Sequence, residues 1–233
     1  RPEPRPVVWV GPRARILIAG QAPGRRVHES GIPWNDPSGD RLRDWMQLDR
    51  ETFYDKRNIA VAAMGFCFPG TVNGADLPPR RECAPLWRPR LLPLLKNVQL
   101  TLLVGAYAQR YHLGVAVKKT LSETVGAWRD YPADVMPLPH PSWRNTGWLK
   151  RNPWFEQEAL PRLRERIERR FRQREPVSEH ARALGVSLTA LRHACARVAG
   201  TSPAQMLDDR ALLEARRLRS CRRCWRRRRC ITT

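Results

Sequence analysis

The sequence predicts an α/β fold, with a four-stranded and mainly parallel sheet, followed by a small all-helical appendage. Four short apolar runs recur between Arg15 and Leu138, and helix-like segments lie between them. After Arg174 the strand-like runs stop, and three helix-like stretches follow. Strands that alternate with helices are typical of a parallel sheet, whose functional loops follow the carboxyl ends of the strands.

The predicted strands are short and apolar, as expected of strands that are buried on both faces. They are 15–19, 59–64, 100–104 and 135–138. Helix-like patterns separate them, although prolines interrupt the second one. The predicted helices are 40–48, 80–96, 106–113 and 154–172, and beyond a break at Glu175-Pro176 they are 177–184, 187–198 and 203–218.

These elements divide the chain into four parts. Residues 1–13 are rich in Pro and Arg, and we interpret them as the remnant of a preceding segment because the chain starts at Arg1 rather than Met. An α/β domain over 14–174 and a helical module over 175–218 follow. The tail 219–233 has low complexity and is predicted to be disordered, as expected of a truncated or frameshifted gene end.

The charge of the chain indicates the kind of partner it binds. There are 43 Lys+Arg against 22 Asp+Glu, a net charge of +21, so DNA is the expected partner. The excess of arginine fits bidentate phosphate contacts, but a GC-rich genome would also produce it. With no apolar run of about 18 residues and no signal peptide, we expect no membrane association and a cytoplasmic, nucleoid-associated bacterial protein.

Two loops carry the residues that are best suited to binding or catalysis. Gly20-Gln21-Ala22-Pro23-Gly24 directly follows the first predicted strand, and its backbone N–H groups can face an anion or a base. Farther along, Trp34 and Asp36 precede a helix, where Asp36 and Ser38 also fit ordinary turn and cap positions. After the last strand, two prolines hold His140 beside Ser142, Trp143 and Arg144.

Together these loops resemble those of the uracil-DNA glycosylase superfamily, whose members share a G-x-x-P-G motif and a late H-P-S motif. The likeness covers about residues 14–172 and is closest to the iron–sulfur branch, in which Trp34 takes the position of a Phe and Gly39 that of a glycine. The resemblance implies a three-layer α/β/α fold. It also implies a monomeric DNA-repair hydrolase that removes uracil or another deaminated base flipped out of DNA.

The resemblance implies a role for each loop residue. Trp34 would stack on the base, and His140 would hydrogen-bond the base oxygen that gains negative charge. Ser142 would hold a phosphate, while Trp143 and Arg144 would enter the duplex. The expected base-binding set is Gly20, Ala22, Pro23, Gly24, Trp34 and Ala63.

The chain departs from the iron–sulfur branch at two of these positions. Gln21 replaces an acid and cannot act as a general base, and Ala63 stands where an Asn usually reads the base. The predicted catalytic set is therefore His140 and Gln21, with His28, Glu29 and Asp36 as substitutes for the missing acid. The pocket is either tuned to another damaged base or binds without cleaving.

Cys67 and Cys83 have the sixteen-residue spacing of the last two cluster ligands in the iron–sulfur branch. The resemblance therefore implies a [4Fe–4S] cluster in a longer parent protein, with its first two ligands upstream of Arg1. Two inert thiols are the alternative. Completion of the site by Cys221 and Cys224 is a weaker possibility, because their Arg-rich surroundings offer poor support.

The helical module resembles an AraC/XylS-type helix-turn-helix, with a turn at Gly185 and a G-T-S-P motif from Gly200 to Pro203. That family has two such motifs, and only the first is present here. The resemblance implies groove contacts by a recognition helix over 187–198, and the alternative is a charged helical hairpin. The expected contact residues are Ser187, Thr189, Ala190, Arg192 and His193.

Two functions follow from these patterns. The first is a glycosylase that releases a free base and leaves an abasic site. The alternative is a DNA-binding regulator of the AraC/XylS type, in which the first domain is a non-cleaving sensor. The absence of an acid at Gln21 and of an Asn at Ala63 motivates the alternative.

Overall fold

A four-stranded parallel sheet lies at the centre of the structure, a computed structural model that describes residues 4–172 and 177–207. The strands in chain order are β1 (Ile16–Ala19), β2 (Ile59–Val61), β3 (Thr71–Val72), β4 (Ala75–Asp76), β5 (Leu100–Val104) and β6 (Val135–Leu138). The sheet has the order β2-β1-β5-β6, and β3 and β4 form a separate antiparallel hairpin. Helices flank the sheet, as the predicted three-layer α/β/α fold requires.

The α-helices of the described residues are mostly short. They are α1 (Arg25–Ser30), α2 (Pro37–Met46), α3 (Arg50–Phe53), α4 (Cys83–Leu91), α5 (Ala106–Leu113), α6 (Leu121–Gly126), α7 (Thr146–Arg151), α8 (Leu160–Arg172), α9 (Val177–Ala183) and α10 (Leu188–Ala199). Three further 3-10 turns cover Leu92–Leu94, Gly114–Ala116 and Trp143–Asn145, and a π-helical turn at Phe155–Ala159 leads into α8. None of these helices is long and apolar enough to cross a membrane.

The apolar strands form the core because both faces of the sheet are covered. All four residues of β1 are buried, and Ile16 lies opposite Ile59 on one side and Leu100 on the other. On one face Leu17 packs with Phe66 and Leu95. Such full burial explains why the strands lack the apolar–polar alternation of a half-exposed sheet.

The third and fourth predicted strands have the predicted bounds, and the first begins at Ile16 rather than Arg15. The second is shorter, since it ends at Val61 rather than Met64, although Ala62 and Met64 still donate backbone hydrogen bonds to Ile18 and Gly20. The helix predicted at 40–48 begins earlier, at Pro37, because Asp36 caps it. In the region predicted as one helix over 80–96, α4 ends at Leu91 and a 3-10 turn follows.

The described residues fall into two compact units, which are divided between Arg170 and Phe171. In the first unit, the segment before β1 pairs with the sheet region: Trp9 forms an antiparallel bridge with Val61, and Val7 is buried. In the second unit α9 and α10 pack together, and a helical segment covers 203–207. The predictions for 208–218 and for the tail 219–233 lie outside the described residues.

Candidate active site

The two predicted loops lie at the carboxyl edge of the sheet. β1 and β5 are neighbours, and the chain continues from them to opposite edge strands, β2 and β6. Parallel α/β sheets open a crevice where the strand order reverses in this way. The loop after β1 is tied to the loop after β2, because Met64 N and Gly65 N donate to the carbonyls of Gly20 and Gln21, each at 2.9 Å. This places the Gly20–Gly24 backbone at the edge of that crevice.

Two glycines, Gly20 and Gly39, leave the space that Trp34 occupies. Its backbone is left-handed, with φ of 56°. A Cβ at Gly39 would lie 1.7 Å from the Trp34 carbonyl oxygen, so no other residue fits at position 39. A Cβ at Gly20 would lie 3.1 Å from Cζ2 of the indole ring, so the ring rests almost directly on the Gly20 backbone. The glycines at positions 20 and 39 are thus required for steric reasons, because Trp34 occupies the space next to both.

His140 faces Trp34 from the other predicted loop. The two ring centroids are 5.6 Å apart and the ring planes are inclined by 37°. Asn145 Nδ2 donates to the His140 carbonyl at 2.7 Å, which closes the loop. A Cβ at Gly105, at the end of β5, would lie 3.6 Å from His140 Cβ, so the histidine packs close to the backbone there.

The surroundings of His140 keep its imidazole neutral. Burial lowers its pKa to about 4, and the negative charge of Asp76 opposes that shift without cancelling it. A neutral imidazole carries one N–H donor. Near pH 7 the ring can therefore donate a hydrogen bond to a substrate oxygen without carrying a full positive charge.

Asp36 caps a helix. Its Oδ1 accepts from Gly39 N at 2.8 Å at the start of α2, where Pro37 is the first residue. Burial raises the pKa of Asp36, and the Gly39 hydrogen bond opposes that shift. These contacts match the capping interpretation from sequence, and a role for Asp36 in activating water stays a prediction.

Three further predicted residues, His28, Ala63 and Ala22, contact neighbours other than Trp34 and His140. The His28 ring, on α1, lies 5.8 Å from the Phe68 ring, and its buried Nδ1 has no hydrogen-bond partner among the described residues. The Ala63 carbonyl accepts from Arg88 Nη1 at 3.3 Å. Ala22 packs near Gly65, whose added Cβ would lie 3.5 Å from Ala22 Cβ.

The segment after His140 projects a large aromatic side chain. Trp143 is 74% exposed, and the Arg144 guanidinium carbon lies 5.8 Å from the centroid of its ring. Arg41 Nη1, on α2, donates to the Ser142 carbonyl at 3.0 Å. A fixed backbone thus presents an exposed indole and a cation side by side.

Sequence reasoning missed the β3–β4 hairpin, which lies beside both loops. Arg25 Nη2 donates to Thr71 Oγ1 at 3.4 Å, and Arg144 Nη2 donates to the Gly74 carbonyl at 3.5 Å. An available signal was Asn73-Gly74, a dipeptide that favours two-residue hairpin turns. The strands themselves have two residues each, which is too short for any apolar period.

Cys67 and Cys83 are free, half-buried thiols of the first unit. Cys83 Sγ accepts from Phe66 N at 3.4 Å, and the pKa of Cys67 is raised by burial and by the proximity of Cys83. A [4Fe–4S] cluster needs four thiolates, and the described residues contain no group of three or more metal-ligating side chains. Within residues 4–172 and 177–207 the pair is therefore not a complete cluster site. Cys221 and Cys224 lie outside the described residues.

In the second unit, Ser187 caps α10, because its Oγ accepts from Ala190 N at 3.1 Å. Thr189 and Arg192 are exposed on that helix. Gly185 has φ of 66° in the turn between α9 and α10, a backbone conformation that favours glycine. The predicted turn is thus present, and all five predicted contact residues are exposed, since Ser187, Ala190 and His193 are accessible as well.

The chain matches a known protein family. The model of the uracil DNA glycosylase superfamily matches residues 8–164 of the chain, more than half of its length. The matched segment includes the sheet, the Gly20–Gly24 loop, Trp34 and His140.

Proposed function

Since the chain belongs to the uracil DNA glycosylase superfamily, we propose that it hydrolyses the N-glycosidic bond of uracil or another deaminated base in DNA. The observation that carries the proposal is the pair formed by Trp34 and His140. These side chains come from loops about 100 residues apart in sequence, and their ring centroids lie 5.6 Å from each other. A flat apolar ring beside a half-buried imidazole N–H donor suits the recognition of a flipped base.

His140 would lower the barrier by stabilising the leaving base. As the N-glycosidic bond breaks, its electron pair moves onto the base, and a base oxygen gains negative charge. A neutral, half-buried imidazole donates a stronger hydrogen bond to that oxygen than to the neutral base. Because burial holds the pKa of His140 near 4, this donor persists over the whole neutral range.

The backbone of the Gly20–Gly24 loop would hold the base edge opposite His140. The backbone hydrogen bonds from Met64 and Gly65 fix this loop before DNA binds, so little ordering is required during the reaction. Trp34 would stack on the base, and its ring is held by contact with Gly20. We include Ala22, Pro23 and Gly24 in the base-binding set on the same reasoning.

Trp143 and Arg144 would stabilise the duplex from which the base has been flipped. An exposed indole can fill the gap left in the base stack, and arginine can contact a phosphate. Arg41 supports this segment by its hydrogen bond to the Ser142 carbonyl. Ser142 itself would contact a phosphate of the flipped nucleotide.

The test is base release from duplex oligonucleotides that contain a single uracil, hypoxanthine or xanthine. We expect release of one of these bases and alkali-sensitive strand cleavage at the abasic site. No release from any of the three would reject the enzymatic proposal.

A variant tests the role of His140. We expect His140→Ala to lower the single-turnover rate by about 100- to 1,000-fold, as for other oxyanion donors. Affinity for the same duplex should change much less, because the hydrogen bond strengthens only as charge develops. Equal losses of rate and affinity would remove the proposed transition-state role.

The alternative of a DNA-binding regulator rests on the second unit, where α10 presents Thr189 and Arg192 at its surface. In this hypothesis the first unit senses a base without cleaving it, which the glutamine at position 21 would allow. Sequence-specific protection of a promoter duplex at about 150 mM salt would support it. Equal binding to unrelated duplexes would count against it.

A further inference from the structure

The β3–β4 hairpin holds one carboxylate at the edge of the candidate active site. Thr71 pairs with Asp76, and Asn73 and Gly74 between the strands have φ of 51° and 72°. This is the backbone of a tight two-residue hairpin turn. The register therefore sets Asp76 at the end of the hairpin that lies away from its tip.

Asp76 lies against the end of the Gly20–Gly24 loop. Its Oδ2 is 3.4 Å from the position that a Cβ on Gly24 would occupy. The carboxylate is also within electrostatic range of His140, since its charge raises the pKa of that ring against the effect of burial. Asp76 therefore contacts one of the loops that form the candidate site and acts electrostatically on the other.

The carboxylate of Asp76 is exposed and is not used in the fold. Within residues 4–172 and 177–207, no hydrogen bond or ion pair holds it. The surrounding surface is basic, with Arg25 and Arg144 both bonded to the same hairpin. An acid at a surface that faces DNA phosphates opposes binding through like-charge repulsion, so a chemical role is the better explanation of its presence.

The proposed hydrolysis needs such a group. Water must lose a proton when its oxygen bonds to the sugar carbon, and a carboxylate is a suitable acceptor. Gln21 has no acidic group, Glu29 is exposed on α1, and Asp36 already accepts from Gly39 N. Asp76 is the carboxylate whose charge acts on His140, and no hydrogen bond within the described residues occupies it.

We propose that Asp76 is the catalytic base of this enzyme, an assignment that rests on the proposed function. The bond between the sugar C1′ and the base nitrogen breaks, and its electron pair leaves with the base. A water oxygen bonds to C1′, and the water proton moves to the Asp76 carboxylate. His140 donates its hydrogen bond to the departing base, while the negative charge of Asp76 stabilises the positive charge that develops on the sugar.

The experiment measures single-turnover release of the base that the wild type excises. Asp76→Asn should lower the rate by at least about 100-fold, the usual contribution of a general base. Affinity for a duplex with a non-hydrolysable 2′-fluoro analogue should stay within threefold of wild type. Asp130→Asn, which removes another exposed carboxylate of the first unit, is the matched control and should leave the rate unchanged.

A second readout separates catalysis from structure. Added formate should restore part of the activity of Asp76→Ala, because a small carboxylate can occupy the vacated space, and it should not stimulate His140→Ala. The thermal unfolding midpoint of Asp76→Asn should match that of wild type, since the side chain is exposed.

The outcomes are distinct. A single-turnover rate of Asp76→Asn within threefold of wild type would overturn the assignment. A large loss of rate in Asp36→Asn alone would identify Asp36 as the catalytic base instead. Failure of formate to restore any activity to Asp76→Ala also counts against it. If the wild type releases no base from any of the three oligonucleotides, the proposed function and this assignment are both rejected.

Discussion

At the scale of single residues, Gly39 shows how the absence of a side chain places an aromatic ring in the site. The Trp34 carbonyl oxygen occupies the space where a Cβ at position 39 would lie, at 1.7 Å. Trp34 can therefore hold its left-handed backbone and direct its ring over Gly20. The glycine at the end of this motif is thus required by sterics, and the ring that it places is the proposed stacking surface.

Gly39→Ala should therefore disturb the site strongly. We expect it to lower the free energy of unfolding by about 2–3 kcal/mol, since the new methyl group has no space, and to abolish base release. Urea titration measures the first effect. Gly147→Ala is the control: its Cβ would approach Arg151 Nη1 only to 3.6 Å, and alanine in a helix should raise stability by up to about 1 kcal/mol. Equal stability of the two variants would contradict this explanation.

Two histidines make the stability of the protein depend on pH. Burial lowers the pKa of both His112 and His140 from 6.5 to about 4, and Arg88 adds to the shift at His112. Between pH 4 and pH 6.5 these two histidines are protonated in the unfolded chain but not in the folded chain. Their contribution to stability is therefore complete above pH 6.5 and is lost as the pH falls toward 4.

Urea unfolding at pH 7.5, 6 and 5 checks this prediction. The free energy of unfolding should fall across the series, and the double variant His112→Asn/His140→Asn should fall less steeply than wild type. His193→Asn, at an exposed position of α10, should retain the wild-type slope. An identical slope in the double variant would show that other groups cause the loss.

At the scale of elements, α4 supports the loop after β2 through one buried cation. Arg88 is fully buried and donates to the carbonyls of Ala62 and Ala63 at 3.0 and 3.3 Å. Its Nη2 also lies 2.6 Å from His112 Nε2, on α5. The pKa of Arg88 falls to about 10 through burial, so the guanidinium stays charged at neutral pH. One side chain thus connects two helices to the loop that borders the site.

Arg88→Met tests that connection. Methionine keeps much of the volume but leaves two buried carbonyls unpaired, so the free energy of unfolding should fall by roughly 2–4 kcal/mol. Arg90→Met, on the exposed side of the same helix, should change it by less than about 0.5 kcal/mol. Chemical denaturation of both variants gives the comparison. Similar values for the two would mean that the buried hydrogen bonds contribute little.

At the scale of the whole molecule, positive charge is shared between the glycosylase-like unit and the sequence beyond it. Residues 1–175 carry +12 of the net charge of +21, and residues 176–233 carry +9. The first share fits an enzyme that scans DNA. The second share lies outside the segment matched by the family, which ends at residue 164.

A chain shortened after Arg172 separates the two contributions. We expect it to retain base release, because the matched family segment and the candidate site are intact. Its DNA affinity should decrease less steeply with salt than that of the full chain, since fewer phosphates are neutralised. Fluorescence anisotropy at several salt concentrations measures the slope. An equal slope would show that the removed residues do not contact DNA.

The sequence alone was enough to predict the sheet and the two loops. Apolar runs identify the strands 100–104 and 135–138 with the observed bounds, because strands buried on both faces contain little else. It also indicated the family through G-Q-A-P-G and H-P-S, and the match over residues 8–164 confirms that family. These are local signals, readable from a few adjacent residues.

What only the tertiary structure decided is which distant residues share the site. Asp76 reaches the Gly24 backbone from a hairpin some 50 residues away, and Arg41 reaches Ser142 across 101 residues. Two-residue strands have no periodicity, and an exposed aspartate resembles any other solvated acid in sequence. Local patterns therefore specify strands, caps and turns, whereas the approach of Asp76 to the Gly24 backbone follows from packing of the whole first unit.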